Sequence, residues 1–323
     1  NLALCGKTIN SLRRNVIKQL TRVLISRGYQ VQEHRSENYI TISLGDVSND
    51  FYLFGGKDED VLPAALALEV FHNFTLLHDD VMDHADVRRG RPTVHVKWNA
   101  NTAILSGDQM LIEAYKLLAG VPKEKLSQCL DMFNKMATEI CEGQQYDVDF
   151  EAKEMVSETE YLMMIGKKTA VLLATALQMG AYIAGASQDE QETLALFGTS
   201  IGLAFQIQDD ILDVWGDPAT FGKAIGGDIS CNKKTYVTII AEKIADEESR
   251  KELQHWYSQT LSDNTEKIAR VKAIYERLGV RELCERSVRV RTQTAHISLD
   301  SLPQNAATQQ LRQLADKLHS REV

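Results

Sequence analysis

The chain has few of the residues that interrupt or cross-link a fold. Only five prolines occur in 323 residues (Pro63, Pro92, Pro122, Pro218 and Pro303), each read as a helix start or a connection, so long helices can run unbroken. Five cysteines, Cys5, Cys129, Cys141, Cys231 and Cys284, are odd in number, far apart and without a CxxC pair. That excludes a disulfide scaffold and predicts reduced thiols in a cytoplasmic protein. No uninterrupted apolar run reaches about 18 residues, so stable membrane insertion is not expected. The start carries no basic-then-apolar signal segment. No long basic run offsets the net charge of −9, which argues against nucleic acid as a partner. Alternating strand runs joined by hairpin turns are not apparent, and no Gly-rich phosphate loop follows a strand.

Long apolar stretches with helical spacing are what remain. Residues 64–78 place Leu66, Val70, Phe71, Phe74 and Leu77 near helical intervals, and 169–184 and 194–212 are similarly apolar and too long for strands. Amphipathic segments follow at 265–278 and 308–318. With no linker-like shift in composition, the pattern predicts an all-α fold forming a single domain over 1–323.

Two copies of one acidic pattern interrupt the apolar stretches: Asp79-Asp80-Val81-Met82-Asp83 and Asp209-Asp210-Ile211-Leu212-Asp213. With 22 Asp in the chain, chance supplies roughly 0.1 such motif. On a helix, positions i and i+4 share a face, so Asp79 pairs with Asp83 and Asp209 with Asp213. Two such faces turned towards each other would form a cage of hard oxygen ligands. That chemistry suits Mg²⁺, and Mg²⁺ that keeps several waters points to a phosphate substrate.

The flanks are more specific still. His78 precedes the first motif, and Arg88-Arg89-Gly90-Arg91-Pro92-Thr93 follows it. Gln206 precedes the second, and Phe221-Gly222-Lys223 and Lys233-Lys234-Thr235 follow it. Together with Ser106-Gly107-Asp108, Glu142-Gly143-Gln144 and Lys168-Thr169, this series resembles the trans-isoprenyl diphosphate synthases (the polyprenyl synthetase family), over about residue 54 to the C-terminus. The resemblance implies an antiparallel helix bundle around a central cavity. It also implies condensation of isopentenyl diphosphate with an allylic diphosphate: ionisation of the allylic C–O bond, attack by the isopentenyl double bond, then proton loss. Breaking that bond loads charge onto the leaving diphosphate, so catalysis means stabilising a polyanion with metal ions and fixed cations.

The roles the resemblance carries over are these. Asp79 and Asp83 would hold two Mg²⁺ ions and Asp209 a third, with Asp213 assisting directly or through water. Arg88, Lys168, Lys223 and Lys233 would bind the allylic diphosphate; Thr169 and Gln206 would lie near the developing carbocation; Arg89 and His72 would bind isopentenyl diphosphate. Product length would be set by Phe74 and Thr75, five and four positions before the first motif, with Phe71 a turn deeper. A ring at 74 favours C15 or C20 products. A homodimer is the assembly the family implies.

One departure stands out. The family's Gly-Gly-Lys-x-x-Arg-Pro segment does not follow Ser43-Leu44-Gly45, and Gly55-Gly56-Lys57 leads into Asp58-Glu59-Asp60 instead. Either the segment is missing from the sequence as read, which the completeness of every other part favours, or the protein lacks it and its isopentenyl site is impaired. The second account leaves open a non-catalytic partner subunit of a heteromeric synthase. A terpene cyclase is disfavoured by the intact second acidic motif.

Overall fold

A computed structural model describes residues 2–6, 30–34, 39–44, 47–55, 58–217, 225–259, 261 and 263–319. From Asp58 onward every described element except one small hairpin is helical, in keeping with an all-α chain. The helices are α1 (Asp58–Met82), α2 (Val94–Lys97), α3 (Ala100–Leu118), α4 (Lys123–Glu151) and α5 (Glu158–Ile165). After a π-helical turn, Gly166–Ala170, come α6 (Val171–Ala184), α7 (Gln188–Trp215), α8 (Gly227–Ser230) and α9 (Tyr236–Ile244). The last four are α10 (Glu247–Tyr257), α11 (Thr265–Arg277), α12 (Val280–Ser298) and α13 (Ala306–His319).

The N-terminal segment differs from the sequence expectation. Strands β1 (Leu2–Gly6), β2 (Gln30–His34), β3 (Tyr39–Leu44) and β4 (Val47–Gly55) form a sheet in the order β1-β4-β3-β2. β3 and β4 pair antiparallel from Leu44↔Val47 to Tyr39↔Tyr52, while β1 runs parallel to β4. The signal was present but short: Ile40, Ile42 and Leu44 alternate with Tyr39, Thr41 and Ser43, a β-branched period of two. Pro63 also departs from expectation, because it lies inside α1 rather than at its start. Its ring leaves the carbonyl four residues earlier without a helical donor.

The chain divides into two compact units. The first comprises 1–86, 93–133 and 176–191. In it α3 turns a stripe of small residues inward (Ala103, Gly107 and Ala114, then Leu118), and α1 buries Val61, Ala64, Ala67, Leu68 and Phe71. The second unit comprises 87–92, 134–175 and 192–323. Its core draws Ile207, Ile211 and Val214 from α7, Val237 and Ile240 from α9, Val271, Ile274 and Tyr275 from α11, and Cys284 and Val288 from α12.

Two helical stretches, Asp60–Met82 and Glu158–Ala184, are long and apolar enough to cross a membrane by length and composition. Counting uninterrupted runs missed them, since an averaged window tolerates polar residues such as Glu69 and Asn73.

Candidate active site

Helix α1 delivers the first acidic motif at its C-terminal end. Asp83 N–H still bonds to the Asp79 carbonyl at 2.8 Å, so the i,i+4 pair shares one face one turn apart. His84 then takes a left-handed φ of 50°, and Ala85 N–H closes back on the Asp80 carbonyl at 3.0 Å, which ends the helix. Asp80 points inward and is buried, Asp79 is half-buried, and Asp83 is exposed. The last turn of α1 contains no basic residue. Carboxylates at the C-terminal end of a helix face the negative end of its dipole, the opposite of what stabilises a helix end. A cation bound there would offset that repulsion.

The second motif repeats the arrangement on α7, whose last turn also lacks a basic residue. Asp209 is half-buried, whereas Asp210 and Asp213 are buried. Asp210 faces the core and is fully hydrogen-bonded: Tyr161 Oη donates to Oδ2 at 2.5 Å, Tyr236 N–H to Oδ2 at 2.9 Å, and Gln206 Nε2 to Oδ1 at 3.2 Å. Burial pushes its carboxyl up to about 7, with Asp228 adding repulsion and the three donors opposing both. Asp213 Oδ2 accepts the Asp228 N–H at 3.1 Å, and the Asp213 carbonyl accepts the Gly226 N–H at 2.7 Å. This aspartate therefore anchors α8.

The π-helical turn carries Lys168 and Thr169. Such turns widen the helix and re-aim side chains, and they concentrate at functional sites. Lys168 Nζ reaches Asp147 Oδ2 at 2.6 Å, and Lys233 Nζ lies 3.5 Å from the same oxygen. Burial raises the Asp147 carboxyl, but Lys233 and Lys168 outweigh it and hold it below the usual carboxylate range. Thr169 Oγ1 donates to Gln206 Oε1 at 3.1 Å. Lysines 167 and 234 turn elsewhere, to Glu142 and to the Glu154 carbonyl. Gly143 makes the approach of α4 possible, because a Cβ there would lie 2.3 Å from the Lys168 nitrogen.

Arg88 and Arg89 occupy a hairpin, β5 (Val87–Arg88) with β6 (Arg91–Pro92), whose turn has φ of 52° at Arg89 and 72° at Gly90. Two positive φ values define the I′ geometry that suits a two-residue hairpin. Lys223, Gly56 and Lys57 lie outside the described residues. His72 is half-buried on α1, and its carbonyl accepts the Thr75 hydroxyl at 2.8 Å.

Around Phe74 the first unit holds a continuous aromatic row. Ring centroids are 4.8 Å apart for His78 and Phe74, 5.4 Å for Phe74 and Phe71, 5.1 Å for Phe71 and Phe133, and 5.0 Å for Phe133 and Tyr115. Sequence reasoning had not singled out Phe133, Tyr115, Tyr161 or Asp210 for these contacts. Nor did it single out Asp147, although a signal was there: Phe133, Met136, Ile140, Gly143, Asp147 and Phe150 form one buried helical stripe on α4 with a single charge in it.

Among the described residues no group of three or more His, Cys, Asp or Glu side chains is arranged to hold a metal alone. The donors present nevertheless fit Mg²⁺. It takes hard oxygens, keeps several waters, and is commonly held by one or two carboxylates plus substrate phosphates.

The helical fold is that of the all-α prenyl synthases, which its structural neighbours share. A crystal structure of a geranylgeranyl pyrophosphate synthase superposes with a TM-score of 0.78 at 45% identity, covering 83% of each chain. A geranylgeranyl pyrophosphate synthase from Corynebacterium glutamicum, complexed with isoprenyl diphosphate and magnesium, gives 0.76 at 31% identity, covering 82% of this chain and 80% of that one. In sequence, a geranylgeranyl diphosphate synthase of Methanosarcina mazei is 47% identical over 189 residues, 58% of each protein, so the match spans less than two thirds of that relative. The chain belongs to the polyprenyl synthetase family, whose description matches residues 44–278.

Proposed function

We propose that the chain is a single polyprenyl synthetase domain over 1–323 that condenses isopentenyl diphosphate with an allylic diphosphate to give a C15 or C20 trans-prenyl diphosphate. The observation that carries this reading is the repeated acidic helix end, on α1 and again on α7, with no basic residue in either last turn. Family membership and the helical fold support it.

In this reading Asp79 and Asp83 hold two Mg²⁺ ions and Asp209 a third, with Asp213 assisting. The ions, when bound, supply Lewis-acid stabilisation of the departing diphosphate. Lys168, Lys233, Lys223 and Arg88 bind the allylic diphosphate as fixed cations, and Arg89 with His72 binds isopentenyl diphosphate. Asp147, a carboxylate held below its ordinary range and so ionised at neutral pH, keeps Lys168 and Lys233 aimed until the polyanion arrives. The Thr169 hydroxyl and Gln206 carboxamide, already bonded to one another, offer their oxygens to the cationic carbon. Phe74 blocks the growing tail, with Phe71 and Thr75 completing the block. The enzyme is a cytoplasmic homodimer without stable membrane insertion; the membrane-length stretches bear Asp79, Asp80, Lys167 and Lys168.

The deciding experiment supplies the purified protein with Mg²⁺, labelled isopentenyl diphosphate and C5, C10 or C15 allylic diphosphates in turn. C15 or C20 product is the expected result. No elongation from any primer, with diphosphate still bound, would instead leave a non-catalytic partner subunit.

A further inference from the structure

Lys267, in the first turn of α11, is only 1% exposed, although lysine is almost never fully buried without a partner. Its Nζ donates to Asn232 Oδ1 at 2.5 Å and lies 5.8 Å from the centroid of the Tyr257 ring. Asn232 has a φ of 57°, the left-handed region that asparagine tolerates better than most residues but at a cost. There the chain leaving α8 reverses, and Lys233 N–H bonds back to the Asp228 carbonyl at 2.9 Å.

The segment that ends at this turn begins at the second acidic motif. Gly226 and Asp228 donate to the Asp213 carbonyl and carboxylate. The neighbour of Lys267, Ile268, fills the space beside Gly226, where a Cβ would come within 2.6 Å of Ile268 Cγ2. One turn of α11 therefore touches both ends of the 226–232 segment. One end is tied to Asp213, and the other leads into Lys233 and its contact with Asp147.

We propose that Lys267 is a positioning residue: by anchoring the Asn232 turn it sets where Lys233 presents its charge to a bound diphosphate. This rests on the reading of Lys233 as a diphosphate ligand. Without the Nζ donor the carboxamide loses its anchor, the left-handed turn relaxes, and Lys233 moves off its line.

Lys267→Met keeps the apolar stem and removes the donor. Titration with inorganic pyrophosphate in Mg²⁺, together with steady-state kinetics, reads the effect. Pyrophosphate Kd and the KM for the allylic diphosphate should rise roughly tenfold while kcat changes little, as expected for a displaced binding cation. Asn232→Gly, which takes the left-handed conformation without an anchor, should restore both values in the K267M/N232G double variant. Wild-type Kd and KM in K267M overturn the proposal, and so does a weakened K267M that glycine fails to rescue, since general damage to α11 would then account for the loss. If K267M does not fold, N232A decides: the same loss supports the proposal, and an unchanged Kd overturns it. A wild-type protein that neither binds pyrophosphate nor elongates a primer overturns the reading of the site and this proposal with it. An active wild type with unaffected variants overturns the proposal alone.

Discussion

Within each acidic motif neighbouring aspartates have different surroundings. Asp210 is enclosed by Tyr161, Tyr236 and Gln206, while Asp209 beside it is only half-buried. Asp79→Asn should therefore lower kcat/KM by about 10²–10³, the range for losing an electrostatic stabiliser, without changing the melting temperature measured by circular dichroism. Phe74→Ala should lengthen the product, since it opens the aromatic row between His78 and Phe71; an unchanged chromatographic product distribution would refute its role as the floor. Asp147 makes a pH prediction. Its folded-state carboxyl is held below its ordinary value of 3.8, so its stabilisation is present above that value and is lost as pH falls through the lower, folded-state value. Asp147→Asn should cost about 1–3 kcal/mol at neutral pH. Urea unfolding should show the gap to wild type narrowing only below pH 3.8.

Between helices, glycine governs the closest approaches. A Cβ at Gly143 would meet the Lys168 nitrogen at 2.3 Å, and one at Gly202 would meet the Ala170 Cα at 2.6 Å. Both neighbours are backbone, which cannot rotate aside. Gly143→Ala should thus destabilise by about 1–3 kcal/mol and also raise the KM for the allylic diphosphate, because the displaced element carries Lys168. Gly202→Ala should show the stability loss with a smaller effect on KM. Both neighbours belong to the π-turn, so an unchanged KM in both variants, with stability lost, would argue for general loosening rather than movement of that turn. That turn was not legible in the sequence: Gly166-Lys167-Lys168-Thr169-Ala170 has no local signature separating a π-turn from ordinary helix, and the close approaches of Gly143 on α4 and Gly202 on α7 to it are tertiary.

Across the chain as a whole, the long helices were legible because 3.6-residue periodicity in an apolar run survives whatever packs on it. Chelating divalent ions should abolish turnover while leaving the helical circular dichroism spectrum in place, since the fold's core in each unit is apolar; loss of the fold on chelation would make the metal structural instead. The N-terminal sheet was missed because strands of five to nine residues, separated by unpatterned sequence, carry too few periods to outweigh noise. Residue type and spacing alone specified the helices, the shared faces of Asp79 with Asp83 and of Asp209 with Asp213, and the family. Only tertiary packing decided that Asp210 is enclosed, that Asp147 gathers Lys168 and Lys233 across 21 and 86 positions of chain, and that a buried Lys267 holds Asn232. Periodicity is a local property of the chain, whereas desolvation and charge pairing depend on which distant segments come to surround a side chain.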